Sequence, residues 1–276
     1  MYIGAHVSIK GGLPNAPKTA AGRGCECFQI FTRSPRGGRA KEITAETARD
    51  FEEACAAYNQ RAWYVHTPYY VNLASPDRRL RELTVRVVRE ELERSDALNA
   101  KAVMTHLGSA GNSDPAGALY TVLENVDAIL KGYRGATRLL LENAAGSEAI
   151  LGRSFEELFV VVDETEGRCG VCLDTQHAFA SGYDLRDKES VARTLDEFDS
   201  VVGLRHLYLI HSNDSKSPLG SGRDRHEHIG KGEIGKTGFR ALLHEQRLAG
   251  VDFILETKIE GSKKDVRLLK KLRAGK

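Results

Sequence analysis

Eight short β-rich runs recur along the 276 residues, YIGAHVS, ECFQIFT, AWYVHTP, AVMTHLG, RLLLEN, GVCLDTQ, HLYLIHS and DFILET, each apolar almost without interruption. Strands apolar on both faces have no solvent side, which is the pattern of parallel strands covered by helices rather than of half-exposed antiparallel ones. The stretches between them read as those helices: TAETARDFEEACAAYNQ, SPDRRLRELTVRVVREELERSDAL and SFEELFVVVDETE have amphipathic spacing. Their starts are marked, by Ser75 as N-cap before Pro76 and by Ser154 with Glu157 as a capping box. Eight alternations without a linker, a low-complexity tract or a shift in composition predict one α/β domain over 1–276, a (β/α)₈ TIM barrel. An open doubly wound sheet shares the alternation, but its first turn normally carries G-x-G-x-x-G, and HVSIKGGLP does not.

Composition removes several other classes. With 41% hydrophobic and 28% charged residues the chain is neither disordered nor a disulfide scaffold. No apolar run approaches the roughly 18 residues needed to cross a bilayer, and MYIGAHVS does not resemble a signal leader, so no membrane partner and a cytoplasmic location are expected. Five cysteines, Cys25, Cys27, Cys55, Cys169 and Cys172, are an odd number in a long chain and fit free thiols. A net charge of +2 does not by itself imply a nucleic-acid partner. The distribution is more informative: residues 1–41 hold seven Lys/Arg against one acid, Glu26, and 33–41 reads RSPRGGRAK, a flexible basic loop.

The chemistry lies where strands end. The third to the eighth runs close on His66, His106, Glu142, Asp174, His211 and Glu256. In a parallel barrel all strand C-termini open on one face, where active sites of this fold lie, so these six should converge. Carboxylates crowded into one pocket repel and raise each other's pKa, and divalent cations remove that cost. His177, Asp224 and His226 follow in adjoining loops. A His/Asp/Glu set without thiolate suits catalytic Zn²⁺, with Mn²⁺ or Fe²⁺ able to use similar ligands.

The segments HTPYYVNLAS, LLLENAAG, VCLDTQHAFASGYD, HSNDSK, DRHEHIGKGEIG and LET resemble the signatures of the endonuclease IV family over nearly the whole chain. The resemblance implies a metal-dependent apurinic/apyrimidinic endonuclease that cuts duplex DNA 5′ to abasic sites, of any sequence, leaving a 3′-hydroxyl and a 5′-deoxyribose phosphate. It also implies three Zn²⁺ per chain, with Mn²⁺ able to take one site. One ion would sit on His66, His106 and Glu142, a second on Glu142, Asp174, His211 and Glu256, a third on His177, Asp224 and His226. Glu142 is the implied catalytic bridge, and Arg36 and Tyr69 the implied DNA contacts. The family commonly has cysteine at Gln176, proline at Leu107, proline at Thr257 or Lys258, and bulkier residues at Gly37 and Gly38. Four carboxylates bring −4 and three divalent ions +6, leaving about +2, a sign suited to a phosphodiester.

Two motifs look chemical without the context for it. Residues 230–237, GKGEIGKT, match G-x-x-x-x-G-K-[ST], but charged RDRHEHI precedes them instead of an apolar strand, so no nucleotide cofactor is expected. Cys169 and Cys172 form C-x-x-C within a strand rather than at a helix start, which fits buried thiols. His6, His206, His228 and His244 receive no ligand role, His6 being a candidate support for the ligands. A sugar isomerase or epimerase on the same barrel, with one or two ions, is the competing enzyme class; a DNA-binding module without catalysis is the third reading. A monomer is the simplest assembly.

Overall fold

The computed structural model describes residues 1–146 and 149–275, and its eight parallel strands close in chain order. They are β1 (Ile3–His6), β2 (Cys27–Ile30), β3 (Ala62–His66), β4 (Ala102–His106), β5 (Arg138–Glu142), β6 (Cys169–Asp174), β7 (Leu207–His211) and β8 (Asp252–Leu255), and β8 returns to β1 with Phe253 opposite Ile3. Every expected strand is present. The register brings His106 opposite Glu142 and Asp174 opposite His211, so the chemistry-bearing ends are level.

The helices are α1 (Ala16–Arg23), α2 (Ala45–Ala57), α3 (Arg78–Ala97), α4 (Pro115–Leu130), α5 (Phe155–Glu164), α6 (Thr175–Ala180), α7 (Lys188–Val201), α8 (Gly235–His244) and α9 (Ile259–Arg273). Strand alternation sorts the core into two layers. Within β3, Ala62 and Tyr64 join Cys27, Ala102, Met104, Leu140, Cys172, Leu209 and Ile254 inside the barrel, while Val65 joins the layer under the helices. In that outer layer Trp63 packs on Phe28 and edge-on to Phe51 of α2. All five cysteines are buried and free, as expected. No helix among the described residues is long and apolar enough to cross a membrane.

The helix starts differ in detail from the sequence reading. Ser75 does not cap α3: Asp77 does, its carboxylate accepting the Arg79 N–H at 2.8 Å. An acid there adds charge stabilisation at the helix N-terminus, and Ser75 instead accepts the Asp77 N–H at 3.1 Å, shaping the turn that leads in. Ser154 caps α5 as expected, but Glu157 accepts from Gly152 and Arg153 rather than from Ser154.

At the N-terminal end the barrel is plugged by a satisfied carboxylate. Buried Asp252 accepts the Tyr64 hydroxyl at 2.7 Å and the Tyr2 N–H at 2.7 Å, and the Lys101 ammonium lies 3.3 Å away.

Candidate metal centre

The opposite end opens as a cavity of about 650 Å³ whose lining includes His6, His66, Tyr69, His106, His177, Asp224, His226 and Glu256. Glu142, wholly buried at the end of β5, lies against His66 and His106 of that lining. Its Oε2 lies 3.0 Å from His66 Nε2 and 3.6 Å from His106 Nε2; its Oε1 lies 2.9 Å from His211 Nδ1 and 3.6 Å from His177 Nδ1. Burial pushes the Glu142 carboxyl up, but His106 and His211 outweigh it and hold the group well below the usual range. Burial likewise opposes charge on Glu256, and His211 holds it down at about 2.

Three groups of donors lie within 4.8 Å of one another: His66, His106 and Glu142; Glu142, Asp174, His211 and Glu256; and Asp174, His177 and His226. The first two are the sets expected from the sequence. The third differs, because His177 and His226 gather on Asp174, which is shared with the second group. Asp224, 57% exposed, stands at the rim with Oδ1 3.5 Å from His177 Nε2 and 3.4 Å from His226 Nε2. Local structure explains the sharing. Asp174 ends β6 and caps the short α6, accepting the His177 N–H at 2.9 Å, so a three-residue step brings both side chains to one point. Burial works against charge on His177, but Asp174 and Asp224 hold its pKa up at about 10.

The donors fit cations, as their hydrogen bonds indicate. His66 Nδ1 lies 2.7 Å from the Thr67 carbonyl and His177 Nδ1 3.0 Å from the Asn143 carbonyl, so each carries its proton on Nδ1 when neutral. The Nε2 lone pairs then face other lone pairs, Glu142 Oε2 for His66, and Asp224 Oδ1 and His226 Nε2 for His177. Such meetings need a proton or a metal ion between them. Buried His106 Nδ1 has no hydrogen-bond partner among the described residues.

Supporting residues that the sequence reading passed over surround these donors. Gln29, wholly buried at β2, bonds Glu256, His211 and His6. Asn213 donates to Asp174 Oδ2 at 2.5 Å and accepts the Glu256 N–H at 2.9 Å. The one signal for Gln29 was an uncharged polar residue inside the apolar run ECFQIFT.

The basic loop is not a free segment. Arg33 bonds buried Glu91 and lies 2.9 Å from Glu90, while Arg94 holds the Thr32 carbonyl at 2.8 Å and the Lys41 carbonyl at 2.7 Å. Both ends of the loop are thereby fixed to α3, with Arg36 exposed between them. Tyr69 donates its N–H to the Pro35 carbonyl at 3.1 Å, and its ring, 72% exposed, stands edge-on to Phe31.

The GKGEIGKT segment already holds an anion of its own. Gly230, Gly232, Ile234 and Gly235 direct their N–H groups at the Asp214 carboxylate at 2.8 to 3.3 Å. A Cβ on Gly232 would come within 2.3 Å of the Ser215 carbonyl, so the loop can approach this closely only as glycine. His228 and His244 are structural, on Asp265 and the Leu272 carbonyl respectively.

A family model described as a xylose isomerase-like TIM barrel matches residues 17–272. A probable endonuclease 4 from Aquifex aeolicus is 41% identical over 269 residues, covering 96% of this chain and 95% of the relative. The crystal structure of endonuclease IV from Thermus thermophilus superposes with a TM-score of 0.89 at 33% identity over 100% of both chains. The chain belongs to the endonuclease IV family. A D-tagatose 3-epimerase-like protein shares the barrel, with a TM-score of 0.74 at 21% identity over 99% of this chain and 97% of that one, which is a likeness of fold alone. Within the endonuclease IV family the chain is a metal-dependent endonuclease, and its His/Asp/Glu clusters are compatible with metal binding.

Proposed function

We propose that the protein hydrolyses the phosphodiester bond 5′ to abasic sites in duplex DNA, leaving a 3′-hydroxyl and a 5′-deoxyribose phosphate, at a centre of three Zn²⁺ ions. The observation that carries this reading is the gathering of three donor groups at one mouth, tied by the shared carboxylates Glu142 and Asp174. His66, His106 and Glu142 would hold one ion, Glu142, Asp174, His211 and Glu256 a second, and His177, Asp224 and His226 a third, with Asp174 close to it. Mn²⁺ could replace Zn²⁺ at one position. When bound, the ions supply Lewis-acid chemistry, offsetting phosphate charge and lowering the pKa of water towards about 7.

The chain's own groups do the rest. Glu142 keeps two sets of donors at a fixed separation, and the Thr67 and Asn143 carbonyls fix the rings of His66 and His177. Arg36 would contact the DNA backbone, and exposed Tyr69 would stack at the lesion, where a missing base makes unstacking cheap. With Gly37 and Gly38 beside Arg36, the wedge falls to Tyr69. Backbone and shape are read rather than base edges, so sequence preference is not expected. The reading includes a single domain over 1–276 that acts as a monomer in the cytoplasm.

The test is a duplex carrying one abasic analogue, incubated with purified protein with and without chelator. A chelator-sensitive nick 5′ to the analogue and close to three metal ions per chain are expected. Absence of that nick rejects the function, and one or two ions per chain return the case to a sugar isomerase or epimerase.

A further inference from the structure

Gln29 lies at the junction of three groups that the mechanism treats separately. Its Oε1 is 2.8 Å from His211 Nε2, and its Nε2 is 2.7 Å from Glu256 Oε1 and 3.0 Å from His6 Nδ1. An amide can be turned end for end without change of shape, so its orientation has to be decided by a neighbour of known character. Glu256 decides it. A carboxylate only accepts, so the atom facing it is the NH₂ nitrogen and the atom facing His211 is the oxygen. The His211 nitrogen on that oxygen must then carry a proton, which leaves Nδ1, 2.9 Å from Glu142 and 3.2 Å from Glu256, as its ligand atom. The second amide hydrogen points at His6 Nδ1, which must accept. His6 therefore carries its proton on Nε2, for which no partner exists among the described residues, on a ring that lines the mouth. Burial pushes the His6 pKa down to about 4 against the pull of Glu256, in keeping with a neutral ring.

We infer that Gln29 is a positioning residue that sets the tautomers of two histidines at once, so that His211 offers Nδ1 inward and His6 presents a neutral Nε2–H donor to an anionic oxygen of the bound strand. The inference rests on the ligand reading above for His211 and adds a substrate contact that this reading does not contain. Gln29 has both donors and its acceptor engaged, so no other orientation satisfies all three neighbours.

Protein labelled with ¹⁵N-histidine and loaded with Zn²⁺ gives the ring protonation states directly from long-range ¹H–¹⁵N correlations. In the wild type, His6 is expected to be protonated on Nε2 and His211 on the nitrogen not bound to metal. In Gln29→Glu the neighbour of His6 becomes an acceptor, so the His6 proton is expected to move to Nδ1. Gln29→Met removes the bonds with little change of volume, and zinc affinity, read by competition with a chromophoric chelator, should fall about tenfold to a hundredfold. His6→Leu should raise KM for the abasic duplex more than it lowers kcat, with partial rescue in His6→Gln, which restores an N–H. A wild-type His6 protonated on Nδ1, or one tautomer shared by wild type and Gln29→Glu, overturns the inference. Failure of the nuclease reading alone would appear as the expected tautomers in a protein that does not nick.

Discussion

At the N-terminal end of the barrel, Asp252 receives a hydroxyl, a main-chain N–H and an ammonium; at the C-terminal end, the Glu142 side chain pairs only with histidine ring nitrogens among the described residues. Both carboxylates are buried. The first is complete within the protein, and its partners convert a costly charge into a tie between β3, β8 and the chain start. The second lies among imidazole nitrogens, in clusters compatible with metal binding. Under the proposed function, one fold devotes a buried acid at one end to stability and at the other to chemistry, in line with the general division of labour in these barrels.

Exchanging the two losses should break that comparison most visibly. Glu142→Gln is expected to lower nicking turnover about a thousandfold, since a Lewis-acid centre contributes several kcal/mol and each 1.4 kcal/mol or so is tenfold. Without metal its melting temperature should also fall, because His66, His106 and His211 favour the ionised carboxylate that glutamine replaces. Turnover near the wild-type rate would remove Glu142 from the centre. Asp252→Ala should instead cost about 3 kcal/mol of stability in denaturant titration through the unpaired Tyr64 hydroxyl and Tyr2 N–H, with an unchanged nicking rate at 25 °C. A slowed rate in a folded Asp252→Ala protein would mean that the two ends are coupled.

Acidity separates the ends next. In the metal-free protein His177 is raised from 6.5 to about 10, so its pairing with Asp174 and Asp224 stabilises fully below pH 6.5 and is lost as pH rises through about 10. Glu256 and Asp224 are lowered from 4.5 and 3.8 to about 2, so their contributions are present above those values and lost as pH falls through about 2. The chelated protein should therefore melt highest between about pH 4.5 and 6.5 and lower at pH 9. Zinc must displace the His177 proton, so affinity should rise by up to about tenfold per unit over the same climb. A chelated protein with one melting temperature at pH 5.5 and pH 9 would contradict the pairing. The smallest effect is expected at the rim: Arg36→Ala should raise KM about tenfold and reduce the salt slope of DNA binding by about one, with kcat unchanged. An unaltered slope would remove Arg36 from the backbone contact.

Local pattern carried the barrel and most of the centre. Strand ends such as His66, His106 and Glu142 are legible because a parallel barrel converts chain position directly into place, and continuous apolar runs announce the strands. What escaped depends on pairings between distant segments. Asp77 replaced Ser75 as a cap because two nearby residues could each serve and only the helix axis chose. The hold of Glu91 and Arg94 on the basic loop joins α3 to residues about 60 positions earlier, and a charge run carries no record of its partners. Asp174 joined the third donor group because α6 begins directly at β6, a boundary that periodicity does not resolve. Gln29, marked only as a polar break in an apolar run, was passed over for the same reason as Asn213: neutral amides in strand ends and loops bear no chemical label until their neighbours are known.

Asp214 leaves one more consequence. By occupying the glycine-rich turn with its own side chain, the chain supplies in advance the counter-anion that such turns otherwise borrow from a ligand. The turn that follows Asp224 and His226 is therefore already folded around an internal guest before metal or DNA arrives. Little ordering entropy is left to be lost on association, and a free nucleotide finds its seat taken.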